Sequence, residues 1–182
     1  MGNWLKDLLA KLVKAAAEWV DRCIPIYEPN AWNDGNGIEK NNNCYNYACD
    51  IQNNTLAQPG RAHGIILNWR ECSCDTVTAA ALADGLTPIN CDAGCGCDEC
   101  RHQVALVVDP GWDYHWYRKD RDGNWSHKIA DTPATNLDNS GNIITDPRTA
   151  DRRAPRAEYS EFCGCFCVNK SEVTIEGMLH PR

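Results

Sequence analysis

The sequence has no apolar run approaching the ~18 residues needed to cross a bilayer, which excludes a membrane-spanning helix. It has no basic cluster either. Lys and Arg number 18 against 25 Asp and Glu, giving a formal charge of −7 and a pI near 5.2. That balance offers no footprint for nucleic acid or an anionic lipid surface, so neither is expected as a partner. No internal repeat is present. The first residues also lack an export signal, which needs about 7–15 uninterrupted apolar residues. Lys6, Asp7, Lys11 and Lys14 break the stretch at helical intervals. A myristoylation motif is missing as well, because Lys6 stands where Ser or Thr is required.

What the sequence has in quantity is cysteine, 12 of 182 residues. That is far above cytosolic usage and reads as a disulfide framework. Alternation gives Cys163, Cys165 and Cys167 one face of a strand, with Phe162, Gly164 and Phe166 on the other. Neighbours two apart cannot close on each other without strain, and the same holds for Cys72 and Cys74. Their partners are therefore expected on other elements or other chains. The disulfide candidates are Cys23, Cys49, Cys72, Cys74, Cys91, Cys95, Cys97, Cys100, Cys163, Cys165 and Cys167. For Cys91, Cys95, Cys97 and Cys100, zinc is the rival reading, with His102 as a spare ligand. Zinc sites generally use two pairs across a long spacer, and iron–sulfur spacing does not match. No metal or cofactor is assigned.

Periodicity supplies the elements. Asn3 caps a helix over 3–21 whose apolar stripe comprises Leu5, Leu8, Leu9, Leu12, Val13, Ala16, Trp19 and Val20. Its terminal position suggests a docking element, residues 1–22, in which Leu5, Leu8, Leu12 and Trp19 bury against a partner subunit or the body of the domain. Residues 23–182 are then a disulfide-rich α+β domain. Turn formers dominate 28–43. A short helix is predicted from Cys44 to about Ile51 with Asn43 as cap, and another from Thr76 to Ala83, capped by Asp75 and stopped by Gly85. Gln58-Pro-Gly60 is a turn. His102–Asp109, Asp113–Lys119 and Asn124–Ile129 form an antiparallel meander, and a last strand covers Tyr159–Val168. Residues 130–158 show no clear element. Helices followed by strands give an α+β class.

One constellation has the parts of thiol acyl transfer. Cys44 at a positive helix end is placed for thiolate stabilisation. A hairpin turning at Pro110-Gly111 is expected to bring His102 and His115 to the same end of paired strands, and His127 could replace either. The order Cys at a helix start, His at a strand start, His on the next strand resembles the NlpC/P60 and CHAP branch of papain-like hydrolases. Asn43-Cys-Tyr-Asn-Tyr-Ala48, Gln58-Pro-Gly60, His102-Gln-Val-Ala-Leu-Val-Val108, Asp113-Tyr-His-Trp-Tyr-Arg118 and Trp125-Ser-His-Lys128 are together similar to a group of small bacterial and phage proteins. The resemblance covers about residues 43–168. It implies a papain-like helix-plus-sheet fold, with Cys44 as nucleophile, His102 as base and His115 as orienting residue, acting on peptidoglycan peptides.

Disulfides without an export signal raise a question of compartment, because cytosolic reductants keep thiols reduced. A bacteriophage virion assembled in host cytoplasm and oxidised after lysis resolves it. Leaderless secretion is another route. A hyperthermophile's cytosol is a third, disfavoured by the thermolabile Asn content. The expectation is therefore a structural protein of a tailed-phage virion (capsid, neck or tail) on a papain-like scaffold. It would be partnered by other virion proteins or copies of itself, partly through disulfides. The alternative is a peptidoglycan-cleaving cysteine hydrolase.

Overall fold

The structure, a computed structural model, describes residues 2–92, 97 and 100–177. In chain order it contains α1 (Gly2–Cys23), α2 (Gly37–Asn41), α3 (Cys44–Cys49), β1 (Ala57–Gln58), α4 (Cys74–Ala83), β2 (Thr87–Ile89), β3 (His102–Asp109), β4 (Asp113–Lys119), β5 (Trp125–Lys128), β6 (Ala134–Thr135), β7 (Arg153–Ala154), β8 (Ala157–Glu158), β9 (Glu161–Val168) and β10 (Glu176–Gly177). The main sheet is antiparallel, in the order β2-β9-β3-β4-β5-β6. The class is α+β.

One face of the sheet carries Val104, Leu106, Val108, Tyr114, Trp116, Phe166 and Val168 and packs on α3 and α4 through Tyr45, Ala48, Val77 and Ala81. The other face carries Ala105, Val107, Tyr117, Trp125 and Cys165 and packs on Ile144 and Tyr159. The polar segment 130–158 therefore covers this second face, with Trp125 N–H bonded to the Ile144 carbonyl at 2.8 Å. A central strand covered on both faces reads as one apolar run, which is why His102–Val108 shows little alternation.

Side chains of the Asn-rich stretch organise α3. The Asn43 side chain accepts from the Tyr45 and Asn46 amides, and Asn46 bonds back to Asn43 N–H, a reciprocal cap. Asn46 Oδ1 also takes the Ala57 amide at 2.9 Å, fixing β1 beside the helix. β1 pairs with β10 through Ala57 and Gly177. A Cβ at Gly177 would run into the carbonyls of Thr55 and Leu56, so only glycine allows this approach.

Three expectations need correction. The cap of α4 is Ser73, reciprocated by Thr76, and not Asp75. The segment 28–43 contains the short helix α2, whose turn is held by Asp34 accepting amides from Asn36, Ile38 and Glu39. The cysteines of β9 do not share one face. The register slips between Leu106 and Val107, where Gly164 pairs with Leu106 and Phe162 with Val107, so Cys163 is the extra, bulged residue. Gly164 takes φ +139° there, a conformation open to glycine. The bulge turns Cys163 toward the α4 side and leaves Cys165 on the other.

In α1, Trp4, Leu5, Leu8, Leu9, Leu12 and Val13 are 41–73% exposed. Leu5, Leu8 and Leu12 do not bury against the body of the domain. The Trp19 side chain lies outside the described residues.

Candidate functional site

Cys44 opens α3 and lines a cavity of about 120 Å³ together with Asn43, Gln58, Trp69, Asp113, Tyr114, His115, Ile129, Ala130 and Tyr159. His102 is not there. In the antiparallel hairpin the start of β3 meets the end of β4: Val107 pairs with His115 and Val104 with Arg118. The two histidines therefore lie at opposite ends, and the expected juxtaposition fails on register. His102 Nε2–H donates to the Ala48 carbonyl at 2.7 Å, at the far end of α3 from Cys44. Burial pushes its pKa down to about 4, partly offset by that bond.

His127 takes the place next to His115. His127 Nε2–H donates to the Leu137 carbonyl at 3.0 Å, so its Nδ1 is the bare acceptor for His115 Nε2–H at 2.8 Å. Burial holds both rings below the ordinary histidine range, and for His115 the neighbouring His127 adds to the effect. The relay leaves His115 Nδ1 as an unprotonated lone pair.

The thiol itself is poorly activated. Burial pushes Cys44 up to about 12, and the Asp113 carboxylate adds to this. At neutral pH the sulfur is protonated, whereas the thiolate is the nucleophile. Cys49 and Cys72 are buried thiols as well, both raised by burial, Cys72 to about 11. The structure thus leaves these two disulfide candidates unbonded.

The remaining described cysteines form four bonds: Cys23–Cys100, Cys74–Cys163, Cys91–Cys165 and Cys97–Cys167, each joining segments 70–89 residues apart. Three converge on β9, tying it to α4 and to the segment that follows β2. Cys95 lies outside the described residues. Among the described residues no cluster of three or more His, Cys, Asp or Glu could hold a metal ion.

A second polar centre, unforeseen from the sequence, lies under the other end of α3. Arg118 is buried and donates to Asp120 (3.0 Å), Asp50 (3.0 Å), Tyr47 Oη (3.0 Å) and the Ile26 carbonyl (3.2 Å). Its guanidinium carbon sits 4.1 Å from the Tyr47 ring centroid. Only the unusual Arg-x-Asp at the end of an aromatic strand hinted at it.

These features define an α+β protein stapled by disulfides within its own chain, with the free thiols of the described residues, Cys44, Cys49 and Cys72, sealed in the core. No family model and no solved structure matches the chain. Over 147 residues it is 50% identical to insoluble matrix shell protein 1 of the bivalve mollusc Ruditapes philippinarum, an alignment covering 80% of this chain and 91% of that protein. The chain belongs to the family of that shell protein. This relative overturns the expectation of a tailed-phage virion protein, with its virion partners and location, and the alternative of a peptidoglycan hydrolase. Abundant cysteine suits an extracellular protein as well as a virion, so it does not by itself point to a phage particle.

Proposed function

We propose that this chain is a structural component of a mollusc shell's organic matrix, located in the extracellular shell and partnered by other shell components. The 50% identity spanning 91% of a shell matrix protein carries this reading. The four disulfides support it, since such bonds persist in an oxidising, extracellular setting. A scaffold role also suits a thiol that is protonated at neutral pH. The test is to dissolve the mineral of the shell with acid and search the residue for peptides of this chain. Their recovery there, and not from soft tissue alone, is the expected result.

We further propose that residues 1–22 are an appendage to the domain 23–182, a division supported by the exposure of α1 from Trp4 to Ala15. For the finer fold we propose a papain-like, NlpC/P60-like arrangement without the hydrolase activity. What supports it is a cysteine at the start of a helix packed on β4 and β5, with histidines on both strands.

A further inference from the structure

We propose that the cavity beside Cys44 binds an alkylammonium group, of the kind carried at the end of a lysine side chain. Its formal charge comes from one residue. Cys44 is a protonated thiol and His115 a neutral imidazole, which leaves the Asp113 carboxylate among the lining residues. Asp113 Oδ1 accepts the Tyr114 amide at 2.8 Å and Oδ2 the Tyr159 hydroxyl at 2.9 Å. No cationic side chain among the described residues pairs with it. Lys128 directs its Nζ to the carbonyls of Glu39 and Ala130 instead. A largely buried carboxylate without a counter-ion lacks the partner that buried charges usually have.

The rest of the lining suits the missing cation. His115 Nδ1 is left bare by the relay to His127 and offers a second acceptor for an ammonium N–H. Trp69, Tyr114 and Tyr159 supply aromatic rings, whose faces attract cations. Trp69 is held by stacking on Tyr114, with centroids 5.8 Å apart and planes at 15°, and remains 44% exposed. The cavity, about 120 Å³, has room for an ammonium and a few methylenes. An anion would meet Asp113 with repulsion, and a neutral alcohol would leave the carboxylate unpaired.

The test is titration of the full chain with n-butylammonium, the isosteric n-butanol, and the peptide acetyl-Gly-Lys-Gly-amide, read by the NMR shift of the Trp69 indole N–H. The expected result is saturable binding of the ammonium at least tenfold tighter than the alcohol. It should fall at least tenfold in Asp113→Asn and be unchanged in Asp75→Asn, a change on the exposed start of α4. If Asp113→Asn does not fold, Trp69→Ala should weaken binding at least threefold. Peptide binding comparable to n-butylammonium points to a lysine end as ligand; binding of the small amine alone points to a free amine. Equal affinity for the alcohol, no saturable binding of either cation, or full affinity in the folded variants overturns the proposal.

Discussion

His115 donates through Nε2 to His127 Nδ1 at 2.8 Å, with the two rings at 80° to one another on adjacent strands. Because His127 spends its own N–H on the Leu137 carbonyl, the bond from His115 needs His127 neutral, with Nδ1 bare. Protonating His127 would set two N–H donors face to face, and protonating His115 would charge a buried imidazole. The pair therefore makes the core sensitive to acid, and His102 at the other end of α3 adds to that.

The stability of the fold should fall between pH 6.5 and 4. His102 has an ordinary value of 6.5 when unfolded and about 4 when folded, so in that window the unfolded chain takes up a proton that the folded chain refuses. Above 6.5 neither form is protonated and the stability is fully present. It is lost as the pH falls, by about 3 kcal/mol in all for this residue, and His115 and His127 act in the same direction. Asp84, Asp113 and Asp120, raised by burial, act with the opposite sign above the ordinary carboxylate range. Urea midpoints from pH 7.5 to 5 should decline, and His102→Gln, which keeps a donor for the Ala48 carbonyl, should flatten the slope. Midpoints that hold constant would contradict this.

Native alkylation of Cys44 should be slow. With its thiol near 12, roughly one molecule in ten thousand is thiolate at pH 8. Iodoacetamide should leave Cys44, Cys49 and Cys72 largely unmodified in the folded chain. All three should react once the chain is unfolded without reductant, as peptide mass mapping would report. Rapid, selective labelling of Cys44 in the native chain would mean an activated thiol.

Replacing the Cys74–Cys163 pair by serines should lower stability by about 2–4 kcal/mol, as loss of a long-range disulfide commonly does. This bond holds the bulged residue of β9 to α4, so amide exchange should rise first around 161–164. A uniform rise along β9 would show that the bulge does not depend on the bond.

Arg118→Met should cost about 3–5 kcal/mol, because the Asp120 carboxylate would remain buried without its cation. Arg118→Lys should recover little, since one ammonium cannot reach Asp50, Asp120, Tyr47 and the Ile26 carbonyl together. Full stability in the lysine variant would argue that the network is dispensable.

The meander and the helices were legible because their signals are local. Alternation, turn residues at 110–111 and 121–124, and the Asn43 cap fall where β3, β4, β5 and α3 lie. What was not legible depends on register. An antiparallel hairpin separates His102 from His115, while the pairing of Tyr117 with His127 brings the second histidine strand alongside the first. His127 was the alternative partner in the sequence and is the residue bonded to His115. The Cys163 bulge cannot be read from alternation, since one inserted residue reverses the faces beyond it. Asp113, Trp69 and Tyr159 reach the Cys44 cavity from three separate segments, and no local motif joins them.

The central claim, a disulfide-stapled protein of the shell matrix, is tested most directly by non-reducing peptide mapping of the residue left after shell demineralisation. The account predicts peptides of this chain in that residue, with Cys74 joined to Cys163, Cys91 to Cys165 and Cys97 to Cys167 without added oxidant. Absence of the chain from the shell, with these cysteines recovered as free thiols from soft tissue, would contradict it.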